Sequence, residues 1–226
     1  MVCKSQQCKI GLHTDIFDYA EWPRIEAGQS EVEFHLVYQG KLPAASQSAT
    51  RAREKHDIRK VFHRQLASLW DTHPFLVNMF KEKRPGYEIS NQMALAQRYA
   101  RCGYHFLPLI SGFFSLACSL DILFLRRDGP GSLVKSGGDI DNRIKVLFDA
   151  LRMPQTCDEI CGDSPAEDET PFFCLLEDDK LISKVQIDTN WLLTPATTGE
   201  RVNDVQLVIR VKTVVTGSDK YEAVFV

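Results

Sequence analysis

Two hydrophobic periods alternate along this 226-residue chain, and together they restrict it to a fold that mixes helices with a sheet. Ile58, Val61, Phe62, Leu66, Leu69 and Trp70 recur at steps of three and four, the spacing that lines one side of a helix. Ile144, Leu147, Phe148 and Leu151 repeat the pattern at i, i+3, i+4 and i+7. Around these two helices lie stretches rich in β-formers: 32–39 (VEFHLVYQ), 119–126 (SLDILFLR), 172–176, 181–193 and 205–214, with a further short one at 221–226. Residues 71–103 read as one or two more helical pieces, with Gly103 as a C-cap. The expected class is α+β, a single domain with a mixed sheet of about four to five strands packed with helices. Residues 1–30 show no period and read as an N-terminal extension. The domain proper runs over 31–226, with extra segments at about 71–118 and 153–171.

The chain is long enough to bury one good core. No apolar run reaches the roughly 18 uncharged residues of a membrane span, because Pro108, Gly112 and Asp121 break the longest candidate. Residues 1–14 lack the apolar segment of a signal peptide, so a cytoplasmic protein with no membrane partner is expected. In that compartment the seven cysteines are expected to be mostly free thiols. A zinc site from Cys3, Cys8, Cys157 and Cys161 is the alternative, although its spacings are not those of zinc knuckles.

The net charge of −3 conceals an asymmetry. Residues 51–64 hold six Lys/Arg and two acids, while residues 153–179 hold nine acids and no Lys/Arg. A binding surface depends on the local field rather than the total, so a basic face and an acidic face are both expected.

Chemistry concentrates in Gly138-Asp139-Ile140-Asp141-Asn142-Arg143-Ile144-Lys145, where a glycine-rich loop enters the second helix. Some thirty residues later comes Glu177-Asp178-Asp179, bounded on both sides by apolar strands. Carboxylates from two separate segments are suited to a hard divalent cation. Each has a plainer explanation as well. Asp141 is a candidate helix cap, Lys145 a candidate i+4 ion-pair partner, and Asp178-Asp179 a candidate turn.

The motif resembles that of the RusA family of Holliday junction resolvases, Mg²⁺-dependent endonucleases. Here it reads Asp139-Ile140-Asp141-Asn142, then Lys145, then Asp149-Ala150-Leu151, followed by Leu176-Glu177-Asp178-Asp179 and a strand. The order of elements is similar too, over residues 119–214 closely and 32–70 loosely. The resemblance implies a RusA-like fold in which Asp139, Asp141 and Asp179 hold Mg²⁺, or Mn²⁺ in its place, with Asp178 as a weaker ligand. It implies Lys145 as the catalytic lysine, DNA junctions as substrate and a homodimer as the working form. Arg51, Arg53, Lys55, Arg59, Lys60 and Arg64 of the basic helix, with Lys135 and Asn142, are the candidate DNA contacts. The chain departs from the family in its length, its acidic balance and the acidic segment 153–171. A non-cleaving module that binds branched DNA or protein and a nuclease for flaps or forks therefore stand as alternatives, as does a protein whose aspartates are only caps and turns.

Overall fold

The structure, a computed structural model, describes residues 32–43, 49–81, 90–127, 140–193 and 204–216. The fold class is α+β, and the strands form two sheets rather than one. The first strand, β1 (Glu33–Lys41), leads to the long helix α1 (Ala49–Thr72). A single turn, α2 (Pro74–Leu76), passes into a π-helical turn over Val77–Lys81, and α3 (Asn91–Arg98) follows. Next come β2 (Ala100–Arg101), β3 (Tyr104–Ile110) and β4 (Leu116–Arg126), then α4 (Ile140–Leu151). The chain finishes with β5 (Phe172–Leu176), β6 (Ile182–Trp191) and β7 (Asp204–Val215).

The larger sheet has the order β1-β7-β4-β6, with β4 and β6 parallel and the other pairs antiparallel. The smaller one has the order β2-β3-β5, with β3 and β5 parallel. Both parallel pairs need a crossover, and α4 lies in the connection of each. One hydrophobic core joins Leu36, Leu120, Phe124, Leu207 and Ile209 of the large sheet to Leu107, Leu109 and Leu175 of the small one. Phe62, Leu66 and Trp70 of α1 and Leu147 and Leu151 of α4 complete it. Burying a side chain of this size contributes about 1.5–3 kcal/mol.

The stretch 104–118, expected as part of an added segment, is instead central. Six of the seven β3 residues are buried, and β3 pairs with β2 on one side and β5 on the other. A continuous apolar run is what a strand covered on both faces requires. Gly103 is not a helix cap. α3 closes at Tyr99, and Cys102 (φ 54°) with Gly103 (φ 82°) makes the two-residue β2–β3 turn, where both residues take positive φ. The expected strand at 221–226 and the extension 1–30 lie outside the described residues. Among the described residues no helix is long and apolar enough to cross a membrane.

Candidate functional site

α4 begins at Ile140 and is pinned by buried Ile144, Val146, Leu147, Ala150 and Leu151. That stripe turns Asp141 and Lys145 outward. Lys145 Nζ donates to Asp141 Oδ2 at 2.6 Å, one helical turn apart, with both side chains about 60% exposed (59% and 60%). The carboxylate sits in the first turn, where the helix dipole favours negative charge.

The second acidic segment leaves the core at the end of β5, whose five residues are all buried. Its three carboxylates have three different positions. Glu177 is a fastener: its N–H donates to the Ile110 carbonyl, and its Oε2 accepts from the Gly112 N–H, each at 2.9 Å. Asp178 caps the short turn Asp179–Leu181, its Oδ1 accepting from the Lys180 N–H at 3.1 Å. That bond, with the Lys180 charge, holds the Asp178 carboxyl below the usual carboxylate range. Asp179 is exposed at the start of the turn. The turn approaches both α4 and β4, with Cα atoms within 8 Å in each case. Asp141 and Lys145 on α4 and Asp178 and Asp179 on the turn therefore belong to neighbouring elements. Asn142 is half-buried in the first turn of α4.

The donor atoms are of the type that a hard cation takes. Asp141, Asp178 and Asp179 offer oxygen atoms, with Asp141 and Asp179 turned to solvent, and oxygen is what Mg²⁺ takes. Among the described residues no group of three metal-ligating side chains is assembled. Asp139 and Lys135 lie outside the described residues.

The basic helix requires a correction. Arg59 was expected to grip DNA, but it is 1% exposed. Its Nε donates to the Arg152 carbonyl at 3.0 Å, its Nη2 to the Asp149 carbonyl at 2.8 Å, and its Nη1 faces His56 Nδ1 at 3.1 Å. Lys55 pairs with Asp149 at 3.0 Å, and Lys60 with Asp163 at 2.7 Å and Glu169 at 3.2 Å. Arg51 and Lys41 both pair with Glu54. Burial opposes the charge of Arg152, but Glu159 and Asp149 outweigh it and raise its pKa. The acidic segment 153–171, expected as an excursion loop, thus folds onto α1 through two 3₁₀ turns, Cys157–Ile160 and Glu167–Glu169. The basic and acidic stretches face each other and neutralise each other. Arg53 and Arg64 remain exposed on one side of α1, eleven residues and about 16 Å apart, with exposed Asp57 between them.

Two histidines in this interface were missed in the sequence. His63 Nδ1 accepts from the Phe173 N–H at 2.9 Å while Nε2 faces the Asp168 carbonyl at 3.2 Å. The guanidinium beside His56 Nδ1 leaves the ring proton on Nε2, toward Tyr104 Oη and Asp163, each at 3.4 Å. Burial is the first cause that lowers both, His56 to about 4, with Arg59 and Lys60 adding to it at His56. A legible signal existed: His56, Arg59, His63, Leu66 and Trp70 step by three and four along one stripe.

Two of the described cysteines depart from the expectation of mostly free thiols. Cys102 and Cys157 form a disulfide with Cα atoms 5.3 Å apart, tying the β2–β3 turn to the start of the acidic segment. Cys118 and Cys174 are buried free thiols. Cys157 is therefore not available to the zinc set considered from sequence, and Cys3 and Cys8 lie outside the described residues.

No family model, no curated protein and no solved structure matches this chain.

Proposed function

We propose that this protein is a Mg²⁺-dependent, RusA-like DNA endonuclease that resolves four-way junctions by paired phosphodiester cleavage. The observation that carries the reading is the neighbourhood of the Asp141–Lys145 turn of α4 and the Asp178–Asp179 turn after β5. The motif's resemblance to the resolvase family supports it from the side of sequence. Asp141 and Asp179, with Asp139 and the partly committed Asp178, would hold the cation. Bound there, Mg²⁺ supplies Lewis-acid polarisation of the scissile phosphate and a water of lowered pKa, with Mn²⁺ as its substitute. Lys145 leaves Asp141 for the phosphate and stabilises the negative charge that develops on it. Glu177 keeps the acidic turn in register with the end of β3, so that the carboxylates need not reorganise during the reaction.

DNA is held by its backbone, giving salt-sensitive and sequence-poor affinity. With Lys55, Arg59 and Lys60 engaged by acids, that contact falls to Arg53 and Arg64, to Lys135 and to Asn142. Two symmetric nicks in a two-fold substrate require two copies of the site, hence a homodimer. Action in the cytoplasm is part of the same reading.

The test uses purified protein with synthetic four-way junction, flap, fork and linear duplex, in Mg²⁺ or EDTA, beside Asp141→Asn. Paired nicks confined to the junction, lost with EDTA and in the variant, are expected. Binding without cutting makes the protein a recognition module, and cutting of flaps or forks alone reassigns the substrate. Cleavage by Asp141→Asn at the wild-type rate removes the metal assignment.

A further inference from the structure

The two edges of the large sheet are treated differently. At β1 the edge is covered: the Gln65 side chain of α1 donates to the Val37 carbonyl at 2.7 Å and accepts from the Val37 N–H at 2.9 Å. A side-chain amide standing in for a strand blocks that edge from pairing. At β6 the opposite edge has no strand partner among the described residues. Lys184, Val185, Gln186 and Asp188 of β6 are exposed. Val185 (39%) and Trp191 (50%) are among the exposed large apolar side chains of the described residues. An open edge with apolar side chains is unstable against pairing unless something is built to occupy it.

Within β6, residues 184–188 (KVQID) are complementary to themselves when reversed about Gln186. We infer that β6 pairs antiparallel with β6 of a second copy about a two-fold axis through Gln186, joining the two large sheets into one of eight strands. In this register Lys184 of each copy meets Asp188 of the other and Val185 meets Ile187, all of them past the bulge at Ser183. The charged side chains of β6 are Lys184 and Asp188, and centring on Gln186 satisfies both at once. Lys184 and Asp188 share the outer face of the sheet, because both align with outward residues of β4, Ser119 and Leu123. Val185 and Ile187 share the inner face, aligned with buried Leu120 and Ile122. Opposite charges and β-branched pairs directly across an antiparallel ladder stabilise it. The contact is isologous, so it closes at two copies.

This inference does not rest on nuclease activity, and its test needs none. Sedimentation equilibrium of the full chain is expected to show a dimer. Lys184→Asp alone, or Asp188→Lys alone, turns two attractive pairs into two repulsive ones and raises the dissociation constant at least about tenfold. The doubly swapped variant restores opposite charges and returns to within about threefold of wild type. Both positions are exposed, and thermal melts of the variants check that they fold. Gln186→Cys is expected to form a disulfide-linked dimer under mild oxidation, beyond any linking of the parent chain. A monomer at every concentration overturns the proposal and leaves the edge to a strand of another protein. A dimer that ignores the single swaps, or a double swap that fails to restore it, places the interface elsewhere.

Discussion

The Lys60–Asp163 and Lys145–Asp141 ion pairs are nearly the same length, 2.7 and 2.6 Å, but their settings are opposite. Lys60 is roofed by a segment that also brings Glu169, 5% exposed, to the same ammonium, and two buried histidines and fully buried Arg59 stand behind it. Lys145 and Asp141 project from a helix end with water on most sides. In the first cluster the charges serve one another: every cation named there has an acid or a carbonyl, and opening it strands charge in a poor dielectric. In the second, the pair is a weak surface contact worth a few tenths of a kcal/mol, easily exchanged for another ligand. Charge density by itself therefore says little about function in this chain. What separates the two clusters is whether the charges are already satisfied and dry.

The largest expected effect tests the open cluster. Asp141→Asn and Asp179→Asn should each lower junction cleavage at least about 10³-fold, equivalent to about 4 kcal/mol. Their urea midpoints should match wild type, because both side chains are exposed. A loss of stability would mean that these aspartates are caps after all.

The converse holds for the closed cluster. Arg59→Ala takes their donor from the Arg152 and Asp149 carbonyls and leaves Glu159 to Arg152 and the Gln155 N–H, and should cost about 3–5 kcal/mol in denaturant unfolding. The Mg²⁺ dependence of whatever protein remains folded should be unchanged.

Cys157→Ser should also destabilise, by up to about 4 kcal/mol for a loop of some 55 residues. Thermal melts with and without reductant measure it. Equal melting temperatures would show that the acidic segment stays on α1 by charge and packing alone.

Acid should loosen the closed cluster selectively. His56 and His63 have lowered pKa values in the fold, so below pH 6.5 the unfolded chain binds protons that the native one refuses, at His56 down to about 4. Their contribution to stability is complete above pH 6.5 and is lost as pH falls through that window. The cause is local: a second ring proton would point at the Phe173 N–H in His63 and at the Arg59 guanidinium in His56. The groups facing them are Lys60, Arg64, Asp163, Asp168 and Glu169. Melting temperature followed from pH 7 to pH 4.5 should drop, and substituting Gln for both histidines should flatten the slope.

The smallest effect concerns the outer face of α1. Arg53→Ala and Arg64→Ala should each reduce the salt dependence of DNA binding by about one unit of slope. Lys55→Ala should leave it unchanged, since its ammonium already holds Asp149. A reversed ranking would mean that DNA displaces the acidic segment.

Local pattern was enough to find α1, α4, β1, β4, β6 and β7, because each carries its own period over more than one turn or pleat, and β5 because it is a short apolar run between turn residues. Pattern did not reveal that β3 is a central strand, since a run buried on both faces has no period to read. It did not reveal two sheets in place of one, because sheet membership is a matter of partners and not of propensity. At the candidate site, the Asp141–Lys145 spacing was legible as one helical turn. The position of the acidic turn beside α4 was not, because it depends on two parallel crossovers.

Residue identity alone determined the charge asymmetry, the helix stripes and the motif at the start of α4. All of these are functions of spacing along one chain. Only the tertiary structure decided that the basic helix meets the acidic segment, that Cys102 reaches Cys157, and that Arg53 and Arg64 of α1 are exposed while Arg59 is buried. Each depends on where residues some 50 to 110 positions apart are brought together. Coulomb attraction and burial act through space, and no local pattern encodes that proximity.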